Sequence, residues 1–226
     1  MVHVANANPS LVDRLWNSPD DVVETGNRLV EKRCVRTTVR MTIDDEITVV
    51  KRHRERSWRH FVKRCFSKSR AEKCWLDTWY LIDNGYPTPH PIAFRENRLG
   101  PLRGNSWYVY EYVAGQTFKD AATDNCNQRL LRDYVRKLVD IWELHRDLGI
   151  NLTDGHPANF IVDATGKMWV IDLDKLQRLH PWTDTEAVLR KSFERTVRGV
   201  IGDRLVIEFA MKKLDQVFAK PQRKAA

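Results

Sequence analysis

Three residues between Leu152 and Asp174 combine chemistry with spacing: Asp154, Asn159 and Asp172. Asp154 and Asn159 stand just before a short apolar run, Phe160-Ile161-Val162. Asp172 stands just after a second run, Met168-Trp169-Val170-Ile171. The intervening Asp163-Ala164-Thr165-Gly166 is a turn composition, so the segment is expected to be a β-hairpin with a glycine-containing loop. The two ends of a hairpin lie side by side, which brings the three residues toward one point. Carboxylates and a carboxamide are hard oxygen ligands suited to Mg²⁺. A carboxylate kept off the metal orients a substrate hydroxyl. An Asp-x4-Asn pair followed by a strand and a metal-binding Asp is the arrangement that serves phosphoryl transfer. Asp154 is the candidate catalytic residue, and Asn159 and Asp172 are the candidate metal ligands.

Such a site needs a phosphate-holding partner. Upstream, Arg28–Lys32, Arg36–Ile43 and Glu46–Lys51 are β-patterned segments with an Asp44-Asp45 turn between the last two, an antiparallel meander. Lys51 closes the third strand after Val49-Val50, as a strand-borne phosphate-binding lysine does in kinases. Helical spacing from Ser69 through Trp75, Trp79 and Ile82 ends at Asn84-Gly85 with Pro87 beyond. Glu72, in its first turn, is the candidate ion-pair partner of Lys51. Two further strands are expected at Pro91–Phe94 and Ser106–Tyr112. The segment from Glu111 to Gly115 then reads as a hinge whose main chain, at Glu111 and Val113, binds adenine. No glycine lies between the first two strands, where a phosphate-binding loop would stand. Cations of Lys32–Arg36 are expected to take over part of that cradle.

A long amphipathic helix is expected through Leu131, Leu138 and His145, ending at Gly149. It ends on His145-Arg146-Asp147-Leu148-Gly149-Ile150-Asn151, which imitates a kinase catalytic loop. The Asp-to-Asn interval is one residue short, and no strand is expected after it. A helix C-terminus with His145 packed inward is the better reading. Thr183–Glu186 reads as a capping box before helices near 183–199 and 203–219. The tail from Lys220 is expected to fray, and residues 1–20 to form a loose arm with one helical turn near Leu11–Trp16.

The chain of 226 residues is 42% hydrophobic with eight Trp, enough for a folded core. It has no apolar run of membrane-spanning length and no signal-like start. Four scattered cysteines without CxxC spacing are expected to be reduced thiols in a cytoplasmic protein, with no zinc site. The net charge is +8, and Lys51–Lys73 holds ten Lys/Arg against two Glu. Such a run suits an anionic surface or a phosphorylated substrate, while no recognisable nucleic-acid module accompanies it.

Together, Val50-Lys51-Arg52-His53, Ala71-Glu72-Lys73-Cys74-Trp75, Gly85-Tyr86-Pro87-Thr88-Pro89 and Tyr110-Glu111-Tyr112-Val113-Ala114-Gly115 resemble the lipopolysaccharide core kinases. So do Thr153-Asp154-Gly155-His156-Pro157-Ala158-Asn159 and Val170-Ile171-Asp172-Leu173-Asp174-Lys175. The resemblance implies an α+β, two-lobed, protein-kinase-like fold. A small antiparallel β lobe with one helix (1–112) precedes a mainly helical lobe (113–226). It implies ATP-dependent, Mg²⁺-assisted phosphorylation of a Kdo or heptose hydroxyl in the lipopolysaccharide inner core. The enzyme would be cytoplasmic, with peripheral contact at the anionic inner membrane, and its oligomeric state stays open. Two other readings remain: a kinase-like phosphotransferase acting on another small molecule or protein, and a basic, non-catalytic binding protein. Mg²⁺·ATP binding separates the last from the others.

Overall fold

In the computed structural model, residues 2–5, 8–32, 36–54, 68–99, 102–123 and 128–222 are described. They divide into two compact units, 1–80 with 89–112, and 81–88 with 113–226.

The first unit is built on a six-stranded antiparallel sheet. Its strands are β1 (Val2–Val4), β2 (Asn27–Lys32), β3 (Arg36–Ile43), β4 (Glu46–His53), β5 (Pro91–Leu99) and β6 (Leu102–Glu111), in the order β1-β5-β6-β4-β3-β2. The meander β2-β3-β4 follows from alternating Val, Thr and Ile and from the turn at Asp44 and Asp45. Both of those residues adopt positive φ (47° and 67°), as a tight turn matched to strand twist requires. Successive residues of β4 point to opposite faces, so Val50 and Val49 enter different cores. Val50 packs with Val39, Met41, Trp107 and Val109. Val49 packs with Phe94, Tyr108 and Tyr110 against Ala71 and Cys74 of α3 (Arg70–Asp83). Cys74 is a buried free thiol; Cys34, Cys65 and Cys126 lie outside the described residues.

The face that Val50 enters is covered by α1 (Pro9–Asn17) and α2 (Pro19–Thr25), which insert Leu11, Leu15, Val22 and Val23. Residues 8–20 are therefore not a loose arm. Asn8 caps α1 by accepting from the Ser10 amide at 2.8 Å. Pro9 and Pro19 each open a helix where no amide is needed. Leu15 is fully buried, so Leu15→Ala is expected to lower stability by about 2–5 kcal/mol. Denaturant unfolding of that variant checks this; a loss under about 0.5 kcal/mol would return the segment to the status of an arm.

The second unit contains α4 (Phe118–Thr123), α5 (Gln128–Asp147), α6 (Thr185–Arg198) and α7 (Arg204–Phe218). Between them lie the short strands β7 (Gln116–Thr117), β8 (Ile150–Leu152), β9 (Phe160–Val162), β10 (Met168–Val170) and β11 (Leu176–Arg178). They form one sheet in the order β10-β9-β7 and the antiparallel pair β11-β8. Gly115, just before β7, is a true requirement, because a Cβ there would stand 2.3 Å from the Val162 carbonyl oxygen. Trp142 is the core's centre. It is fully buried against Phe160 and Phe193, and its indole N–H reaches the Leu189 carbonyl and Ser192 Oγ, each at 3.1 Å.

Three local expectations are corrected. The cap of α6 is Asp184, which accepts from the Ala187 amide at 3.0 Å, rather than Thr183. The tail is docked as far as Gln222: Lys220 pairs with Glu143, and Gln222 donates to the Arg146 carbonyl. A strand, β8, does follow α5, too short for its three residues to show a period. Among the described residues, no helix is long and apolar enough to cross a membrane.

Candidate active site

The turn that carries Asp154 is assembled from the backbone outward. β8 delivers the chain to Thr153 and Asp154, and a 3-10 turn at Pro157–Asn159 passes it into β9. The Asp154 carbonyl closes the loop by accepting from the His156 amide (2.7 Å) and from Asn159 Nδ2 (2.7 Å). His156 caps the 3-10 turn, its Nδ1 accepting from the Ala158 amide at 3.2 Å. From α6, Thr196 Oγ1 lies 2.6 Å from the Gly155 carbonyl and tethers the loop to the helical core. A Cβ on Gly155 would meet that hydroxyl at 2.8 Å, so the close approach needs glycine.

The hairpin β9-β10 pairs Phe160 with Val170 and Val162 with Met168. Asp163 holds its turn, accepting from the Thr165 and Lys167 amides, Thr165 Oγ1 and Trp169 Nε1 at 2.6–3.0 Å. These bonds, those from Thr165 Oγ1 and Trp169 foremost, lower its carboxyl to about 2. At the far end the Ile171 amide donates to the Asn159 carbonyl at 2.8 Å, which sets Asp172 beside Asn159. Asp172 then takes the left-handed conformation, φ 64° and ψ 65°. An L-residue pays roughly 1 kcal/mol or more for that conformation, and Asp tolerates it better than most. Asp172 opens a 3-10 turn, Leu173–Lys175. There Lys175 Nζ meets Asp154 Oδ2 at 2.9 Å.

Asn159 and Asp172 are thus brought together, with Asp154 on the same loop. The Asn159 amide nitrogen is committed to the Asp154 carbonyl, which leaves its oxygen as the ligand atom. Among the described residues, no three His, Cys, Asp or Glu side chains gather as a metal cluster. One carboxylate and one amide oxygen are too few for a protein cage. The pair does fit Mg²⁺ whose other ligands are phosphate oxygens and water.

The imitation loop is wholly structural. His145 is buried, with Nε2 at 2.7 Å from the Tyr86 hydroxyl, and desolvation lowers its pKa to about 3. Arg146 ties the end of α5 to the Val217 carbonyl, and its guanidinium binds Asp147 Oδ1 at 2.6 Å. Asp147 is an ion-pair partner at a helix end.

In the first unit, Lys51 is buried on β4, opposite Thr38 and Tyr108, with Nζ 5.5 Å from the Tyr110 ring centroid. By strand alternation it shares Val49's face, the one that α3 covers. Glu72 lies in the first turn of α3, and its amide is capped by Ser69 Oγ at 3.1 Å. Its carboxylate has Arg98 at 3.7 Å, and Arg98 also binds the buried Glu96. Arg98 is an electrostatic partner of Glu72 that spacing along the chain gives no way to see. The Glu111 amide donates to the His90 carbonyl and the Tyr112 amide to the Ile47 carbonyl. Both amides are therefore committed within the first unit, and Val113 is the residue at which the second unit resumes. Arg52 is a buried structural cation, bound to Asp20 at 2.9 Å, and not part of a solvated basic face. Most of the basic run (55–67) and the centre of the glycine-free turn (33–35) lie outside the described residues.

A model of the lipopolysaccharide kinase (Kdo/WaaP) family matches residues 13–196. No curated protein matches the chain significantly. Solved structures match in large number, 1878 chains, which marks a widely used fold and not a particular acceptor. One of them is described as WaaP in complex with acyl carrier protein. It superposes with a TM-score of 0.68 at 21% identity, over 98% of this chain and 90% of that one.

Proposed function

The chain belongs to the lipopolysaccharide kinase (Kdo/WaaP) family, and on that premise we propose that Asp154, Asn159, Asp172 and Lys51 carry out its phosphoryl transfer. The fold is protein-kinase-like and α+β, and the family's activity is ATP-dependent phosphorylation of a sugar hydroxyl of lipopolysaccharide.

In this reading Asp154 orients the acceptor hydroxyl and takes its proton. Mg²⁺·ATP, when bound, supplies the phosphoryl group: the acceptor oxygen forms the new O–P bond as the β–γ bridging bond breaks toward ADP. Asn159 and Asp172 hold the metal, and Lys51, steadied by Glu72, holds the phosphates. Adenine meets the main chain at Glu111 and Val113. The observation that supports this most is the closed ring of bonds at the catalytic turn. Asn159 binds back to the Asp154 carbonyl, and its own carbonyl takes the Ile171 amide next to Asp172. Asp172 turns the chain there in the left-handed conformation as it opens the Leu173–Lys175 turn. The acceptor is an inner-core Kdo or heptose, and the charge of +8 favours peripheral contact with an anionic membrane surface.

The expected result is Mg²⁺-dependent transfer of labelled γ-phosphate from ATP to dephosphorylated core oligosaccharide, read by mass spectrometry of the sugar. Label on choline or an aminoglycoside, with none on core oligosaccharide, would overturn the acceptor.

A further inference from the structure

The loop from Asp154 to Asn159 contains no lysine or arginine, yet the catalytic carboxylate has a cation against it. The cation comes from Lys175, twenty-one positions on, at the end of the 3-10 turn that Asp172 opens. The root of this lysine is fixed. Its carbonyl accepts from the Thr153 amide at 3.4 Å and from Thr153 Oγ1 at 3.0 Å, and the next residue, Leu176, pairs with Leu152. The side chain then crosses to Asp154 Oδ2. Lys175 is 57% exposed and Asp154 43%. An ion pair so open to water adds little to folding stability, so its value lies in where it holds the carboxylate.

The geometry points to Lys175 as a positioning residue that locks the Asp154 carboxylate in register with the Asp172 turn. This rests on the reading of Asp154 as the group that receives the acceptor's proton. The pair links the base and the metal-holding turn by one side chain, in addition to the hairpin's backbone bonds. Without it, Asp154 keeps its place in the chain but loses this tie to the Asp172 turn, and misplacement of a reacting group by about 1 Å is enough to lower a rate about 100-fold.

The test uses the full-length protein with whichever sugar acceptor the wild type phosphorylates, so that activity of the wild type judges the acceptor and the variants judge Lys175. For Lys175→Met, kcat is expected to fall roughly 3- to 10-fold, while the Kd for Mg²⁺·ADP, measured calorimetrically, stays within about twofold of wild type because both metal-site residues remain. Lys175→Arg, which keeps the cation, should recover most of the rate. Asp154→Asn combined with Lys175→Met should be no slower than Asp154→Asn alone, since the lysine acts through the carboxylate. Three results would each overturn the assignment. One is full turnover by Lys175→Met. Another is a rate loss matched by an equal loss of Mg²⁺·ADP affinity, which marks a turn scaffold only. The third is an additive loss in the double variant.

Discussion

Asp154→Asn is expected to reduce kcat by about 10²–10⁴-fold, the range that a positioned proton acceptor contributes. The change is close to isosteric. The Asp154 backbone, which receives the Asn159 and His156 bonds, is untouched, and the side chain is nearly half exposed. The melting temperature should therefore move little. The amide can still accept from Lys175 but cannot take a proton. Mg²⁺·ADP affinity should also be retained, because Asn159 and Asp172 are intact. Asp172→Asn should instead weaken Mg²⁺·ADP binding, since it removes the one carboxylate of the proposed metal pair. Full turnover by Asp154→Asn would remove the proposed base; a parallel loss of nucleotide affinity would move Asp154 into the metal site.

The parts of this site that the sequence made legible are those with local causes. The hairpin 160–170 declares itself through two apolar runs and a turn whose Asp163 bonds to residues two to six positions away. Helix α3 ends where Asn84-Gly85 says it should. Gly85 has φ 73°, its amide meets the Ile82 carbonyl, and the Tyr86 amide meets the Leu81 carbonyl, the glycine-dependent helix stop. What was illegible is nonlocal. Helices α1 and α2 are nine and seven residues long, too short to show a convincing period. Their apolar residues acquire meaning only against Val39 and Trp107 of the sheet. β8 has three residues, and its partner β11 begins 26 positions after β8 does. A separation of 21 positions likewise hides the Lys175–Asp154 pair, and Arg98 reaches Glu72 of α3 from β5. Charged residues of this kind look like ordinary surface residues until the fold brings them to a carboxylate.

His145, the most misleading residue in the sequence, is expected to make the protein acid-sensitive. Its ring is buried beside Trp142 and stacked on Tyr86, whose hydroxyl it meets at 2.7 Å. Burial holds its folded-state pKa near 3, against about 6.5 in an unfolded chain. Between those values the unfolded state binds a proton that the folded state refuses, so stability rises with pH across the window. The contribution is fully present above about 6.5 and is lost as the pH falls toward 3. At pH 5 the loss relative to pH 8 amounts to about 2 kcal/mol, from about 1.36 kcal/mol per pH unit over the 1.5 units below 6.5. His145→Phe keeps an aromatic ring against Tyr86 and Trp142 but removes the titrating group. It starts from a lower stability because the Tyr86 hydroxyl loses its partner. Denaturant unfolding at pH 8 and pH 5 should show wild type losing about 2 kcal/mol more than the variant on acidification, all other carboxylates and histidines being common to both. Equal losses in the two proteins would mean that His145 is protonated in the folded state, and the buried, neutral ring described here would be wrong.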